Sequence, residues 1–150
     1  MAIQPAVLMV ELVMSIDRMI QSAKDARTHA GEWTPPIILG HVSQVDEQVW
    51  MPRIRQMVEA HSKAIDRPVF AWWEPDPDAT AEVFKDVTLD EAAAHAMSVR
   101  TQLLSLVNDL TAADWKATAK HDEFGEIDVA GLLFQVLTHD EEHRATLVGG

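Results

Sequence analysis

The strongest chemical signal in the sequence is a pair of histidines one helical turn apart, His139 and His143, with Asp-Glu-Glu between them. Four steps of about 100° leave two rings roughly 40° apart on one helix face, so both can bind a single cation. They fall in the row of Leu132, Val136 and Leu147, the stripe expected to face a core. Two imidazoles aimed at a core cost desolvation energy unless a partner satisfies them. A divalent cation would do so; hydrogen bonding near a bundle end is the alternative. His41 lies at the edge of an arc formed by Ile38, Val42 and Val45. If its helix neighbours the one carrying the pair, three neutral imidazoles with an open fourth position suit a borderline metal such as Zn²⁺ or Ni²⁺.

Other chemistries have less support. Cysteine is absent, which excludes disulfides, thiolate ligands and a thiol nucleophile borne by the protein. No serine sits in a G-x-S-x-G turn. A metalloprotease of the H-E-x-x-H type needs glutamate directly after the first histidine, where this chain has Asp140. His121 is a candidate for the same pocket, with Trp50 and Arg144. Arg53, Arg55 and Arg144 are candidate receptors for an acidic cosubstrate. Asp46 and Glu142 read as exposed carboxylates, His95 as a boundary residue, and His29 and His61 as helix-end residues. Trp33, Trp50, Trp72, Trp73 and Trp115 read as core or rim packing, with one or two at a pocket mouth.

The elements that must position these residues read as helices. With 150 residues, 47% hydrophobic and 24% charged, the chain reads as a single domain over 1–150. Ala6, Met9, Val13, Ile16, Ile20 and Ala23 recur at three-four spacing, and Ile3, Val7, Val10 and Met14 form a second row, so a first helix spans about 3–28. Gly31 breaks it, and Thr34 before Pro35-Pro36 is a helix start. The second helix runs to about 61, with Pro52 expected to kink it. Residues 62–87 show no sustained period and read as a long crossover. Thr88 and Glu91 have capping-box spacing, followed by a third helix with Leu89, Ala92, Ala96, Val99, Leu103, Leu106 and Leu110 on one row. Thr111 and Asp114 suggest a short turn carrying Trp115. Residues 121–128 read as a loop, and Asp128 can cap a fourth helix over 129–147. The expected class is all-α: a four-helix bundle with one long crossover.

A net charge of −12 disfavours a nucleic-acid backbone or an anionic membrane surface as partner. No apolar run reaches the roughly 18 residues of a membrane span. The first residues lack the basic stretch and cleavage site of a signal peptide, so a cytoplasmic setting is expected. The two apolar rows of the first helix exceed what one buried stripe needs, with Met9, Met14 and Met19 nearby, and predict a homodimer through that helix.

Gly31-Glu-Trp33-Thr-Pro-Pro-Ile-Ile-Leu-Gly-His41, followed by Asp46 and Trp50, resembles the second-helix signature of the DinB-like superfamily, which includes the YfiT proteins. Leu137-Thr-His139-Asp-Glu-Glu-His143-Arg144 resembles its closing H-x-x-x-H helix, and Asp114-Trp115 through His121 and Gly125 the stretch before it. The resemblance implies a four-helix bundle wired up-down-down-up, which the crossover would serve. It also implies a metal held by three histidines, which transfer to His41, His139 and His143. Relatives that use the metal to activate a low-molecular-weight thiol imply S-transfer or isomerisation of a small molecule, with the sulfur supplied by a cosubstrate. A metal-dependent hydrolase and a non-catalytic metal-binding stress-response dimer are the alternatives. Because ligand imidazoles must be neutral, activity is expected to fall as pH drops toward about 6.5.

Overall fold

The computed structural model describes residues 4–26 and 33–148. Pro5 opens α1 (Pro5–Asp25) and Pro35 opens α2 (Pro35–Val45), each at a first-turn position where the missing N–H costs nothing. Thr34 precedes α2 as expected, but its hydroxyl makes no capping bond. Ile3, His29 and Gly31 lie outside the described residues.

The second bundle helix continues through a π-helical segment, Asp46–Trp50, into α3 (Met51–Ser62). Pro52 cannot donate to the carbonyl four residues back, and the wider π turn immediately before it absorbs that lost bond without ending the helix. The expected kink is thus a local widening, and Asp46, at its start, is buried.

The crossover is not structureless. It holds β1 (Val69–Phe70) and α4 (Pro77–Phe84), the latter capped by Asp76, whose carboxylate accepts from Asp78 N. α4 lies over α2, with the Phe84 ring against Gly40: a Cβ at Gly40 would stand 2.5 Å from that ring. This cover explains why Ile37 through Ser43 are all buried.

α5 (Leu89–Asn108) starts at Thr88, whose hydroxyl accepts from Glu91 N and donates to the Glu91 carboxylate. Thr111 and Asp114 bond reciprocally around a 3-10 turn, Asp114–Lys116. The expected loop that follows is a hairpin, β2 (Thr118–His121) and β3 (Gly125–Asp128). β2 is central, parallel to β1 and antiparallel to β3, with His121 paired to Gly125. Gly125 takes φ 70°, the left-handed position a three-residue hairpin loop requires. Asp128 accepts from Gly131 N and caps α6 (Val129–Val148).

Four bundle helices result: α1, the α2–α3 unit, α5 and α6. α1 packs mainly on α6 and α5, and α2 on α5. The buried face of α1 is Leu8, Leu12, Ser15, Ile16, Met19, Ile20 and Ala23. In its first half this corrects the expected rows: Val7, Val10, Val13 and Met14 are exposed. No helix among the described residues is long and apolar enough to cross a membrane.

Candidate metal centre and its pocket

α2 carries His41 inward and α6 carries His139 and His143, and one ring nitrogen from each lies within 4.8 Å of the others. His139 Nε2 stands 3.2 Å from His41 Nε2 and 3.1 Å from His143 Nε2. A neutral imidazole nitrogen offers one proton or one lone pair. His139 Nε2 can therefore satisfy only one of its two neighbours by hydrogen bonding. A tetrahedral ion about 2.05 Å from each nitrogen would space ligands by about 3.3 Å, close to the separations seen. The Nδ1 atoms of His41 and His139 are buried without a partner. Among the described residues no hydrogen bond therefore fixes either tautomer, and the Nε2 lone pairs are free to converge on a cation. This donor set fits a divalent cation.

Burial, with repulsion from the neighbouring rings, pushes His41 down to about 3. Burial likewise takes His139 to about 3, helped by His143 and Arg100. It also lowers His143, against an opposing pull from Asp140. His41 and His139 are thus neutral, the ligand form, well below pH 6.5, and His143 is shifted in the same direction. The acid limit expected from unperturbed histidine consequently moves lower.

Directly behind the histidines is a group that sequence reasoning missed. Arg100, from α5, is fully buried, and all five of its N–H groups are used. Nε and Nη2 donate to the two oxygens of Asp46 at 2.9 and 3.3 Å. Nη1 and Nη2 donate to Asp140 at 2.8 and 3.0 Å, and Nη1 also reaches the Leu12 carbonyl on α1. Ser15 Oγ adds a bond to Asp140. One guanidinium thus joins all four bundle helices, through a residue adjacent to His139 and another five beyond His41. Burial alone would lower its pKa, but the two carboxylates outweigh burial and hold it above its ordinary value. Burial pushes Asp46 up to about 6, although Arg100 opposes the shift. Asp46 is therefore not the exposed carboxylate expected. Asp140, with both oxygens bonded to Arg100, has no free edge to act as a base.

In front of the histidines is a cavity of about 430 Å³. Four of the five tryptophans line it, Trp33, Trp50, Trp72 and Trp73, more than the one or two expected. Trp33 packs 4.8 Å from His41 and stacks on His143 at 6.1 Å, and its Nε1 donates to the Pro77 carbonyl. Trp73 stacks on His41 at 6.5 Å and Trp50 meets His139 edge-on at 6.1 Å.

His121 lines the cavity but stands apart from the three-histidine group. Its Nδ1 accepts from Glu123 N and Phe124 N, holding the hairpin turn. Burial lowers its pKa, with a smaller contribution from Arg53. Arg144 is a correction: one residue past His143 it points about 100° away, pairs with Glu141 and lines a separate groove between α1 and α6. Glu142 is exposed as expected and borders the cavity. His95 pairs with Glu47 on the surface, and His61 is exposed.

A model described as the DinB superfamily matches residues 12–147. Among curated proteins none matches the chain. Among solved structures, the fold is similar to YfiT from Bacillus subtilis, described as a probable metal-dependent hydrolase with an unusual four-helix bundle topology. That match has a TM-score of 0.71 at 15% identity and covers 97% of this chain and 85% of YfiT. It is also similar to a mutant of the mycothiol-dependent maleylpyruvate isomerase, with a TM-score of 0.65 at 9% identity. There the alignment covers 97% of this chain and spans 61% of the isomerase.

Proposed function

The chain belongs to the DinB superfamily, and from that footing we propose that it is a divalent-metal-dependent enzyme acting on a small molecule, with His41, His139 and His143 as the ligands. We propose Zn²⁺ or Ni²⁺ as the metal, and S-transfer or isomerisation with a low-molecular-weight thiol as the reaction. The observation that carries this is the convergence of three neutral imidazoles at the floor of a tryptophan-walled cavity. A cation held by neutral imidazoles supplies Lewis acidity that converts a thiol to thiolate near neutral pH. The chain's own part is to keep the three rings unprotonated by burial, to hold α6 against α2 through Arg100, and to exclude water with Trp33, Trp50 and Trp73. The cysteine-free chain lends no nucleophilic sulfur, so a cosubstrate brings it. The fold's likeness to a mycothiol-dependent isomerase supports the reading.

Hydrolysis is the second reading. It is favoured by Glu142, a cavity-lining carboxylate with no partner among the described residues, and by the likeness to YfiT. We also propose a homodimer built on the exposed stripe of α1. The test is to titrate metal-loaded protein with low-molecular-weight thiols, follow thiolate absorbance, and then add an electrophile. Thiol binding followed by conjugation is expected. Hydrolysis of a model ester without thiol binding would replace this reading with the second, and inactivity in both assays would leave a non-catalytic metal-binding protein.

A further inference from the structure

Arg53 is the sole Lys or Arg among the described residues lining the cavity. It stands on α3 four residues after Val49, which in turn stands four after Val45, and all three line the same wall. Its guanidinium is held in place. Nη2 donates to the Ala71 carbonyl at 2.7 Å, and the group lies 4.8 Å from the centroid of the Phe70 ring. That is the one hydrogen bond it makes among the described residues, and no described carboxylate is in ion-pair contact with it. The Asp122 carboxylate acts on Arg53 through its charge without touching it, its hydrogen bond being from Trp72 N, and Glu74 accepts from Trp72 Nε1. Arg67 and Arg144, outside the cavity, each have a carboxylate partner. Arg53 is a fixed, half-buried cation with free donors, facing an apolar cavity in a strongly acidic protein.

We propose that Arg53 receives an anionic group of the substrate, so that the pocket takes a small molecule with an aromatic or other apolar body and one negative charge. The cavity volume lies in the range of small-ligand sites. Trp33, Trp50 and Trp73 provide faces for the apolar body beside the histidines. Glu74 and Glu142 border the same cavity and repel an anion, which orients the charged end toward Arg53. A charge-assisted bond from a half-buried guanidinium contributes about tenfold to a hundredfold in affinity. The inference deepens the proposed function and rests on it only in taking this cavity as the substrate site.

The test is calorimetric titration with two probes of one shape, anionic 2-naphthalenesulfonate and neutral 2-naphthamide. Sulfonates are weak metal ligands, and the titrations are run on metal-loaded and on chelator-treated protein. Wild type is expected to bind the sulfonate at least tenfold more tightly. R53Q is expected to bring the two affinities together while naphthamide binding stays within twofold. R53K, which keeps the charge but loses the fork, is expected to retain a preference at least threefold smaller than wild type. Equal affinities in wild type, failure of both probes to bind, or a preference unchanged in R53Q overturns the inference. If R53Q does not fold, an unchanged preference in R53K overturns it as well. A wild-type protein that holds no metal yet shows the preference would fail the metal reading alone; bound metal without the preference would fail this inference alone.

Discussion

Replacing Arg100 with methionine removes five buried hydrogen bonds while keeping most of the side-chain volume. What remains is two buried carboxylates, Asp46 and Asp140, each 1% exposed, with Ser15 as a donor to Asp140. Removing one partner of a buried ion pair typically costs about 3–5 kcal/mol, because the remaining charge is left uncompensated. Two carboxylates on one lost cation place the loss at the upper part of that range, about 4–5 kcal/mol at pH 7. At about 2–4 °C per kcal/mol for a chain of this size, the melting temperature should fall by about 8–20 °C. The penalty is one of charge, so acid should relieve it. The two carboxyls in the variant's native state hold protons above the roughly 3.9 of an unfolded Asp, so that state binds more protons and gains stability as pH falls. Urea unfolding followed by circular dichroism, with chelator present at pH 7.5 and 5.5, measures both effects. A loss under 1 kcal/mol, or a deficit relative to wild type that does not shrink at the lower pH, would refute the reasoning.

Gly40→Ala puts a methyl 2.5 Å from Phe84 carbons and must displace α4 from α2 beside His41; a destabilisation of about 1–3 kcal/mol is expected in urea melts. Metal-free wild type should lose stability as pH drops below about 6.5, because unfolded histidines take up protons that His41 and His139, held near 3 by burial, refuse. Asp46, pushed up to about 6, contributes in the opposite sense, yet two histidines outweigh one carboxyl; His41→Ala and His139→Ala should each flatten the acid limb of a stability–pH curve. Light scattering should return twice 16.7 kDa for wild type. Val10→Glu with Met14→Glu, both on the exposed stripe of α1, should return the monomer mass; a wild-type monomer at micromolar concentration ends the dimer proposal.

The histidine cluster was legible because it obeys simple spacing: His139 and His143 sit on one row, and His41 lies on an arc that faces them once α2 and α6 approach. The bundle helices were legible for the same reason, since Ala92 through Leu103 follow an unbroken three-four repeat. The hairpin was not, because β2 and β3 have four residues each and depend on pairing with β1 from a distant segment. α4 was hidden among the prolines and acids of 74–78, where Asp76 caps it and Pro77 starts it. The Arg100 group left a signal that helical rows alone pass over. Arg100 interrupts the row Ala93, Ala96, Leu103, Val107; Asp46 falls between Val42 and Val49; Asp140 falls between Val136 and Leu147. Charges of compensating sign at core positions of three helices point to a buried ionic group. The sequence places only one or two tryptophans at a pocket mouth, whereas four line the cavity, because each one's orientation depends on contacts between distant elements.

The central claim is that His41, His139 and His143 together hold one divalent metal. Metal content, measured by mass spectrometry on protein purified without an affinity tag, tests it most directly. Wild type is expected to carry about one Zn²⁺ or Ni²⁺ per chain, and His41→Ala, His139→Ala and His143→Ala are each expected to lose most of it while keeping a helical spectrum. Stoichiometric metal in all three variants, or none in wild type after incubation with either ion, would contradict it.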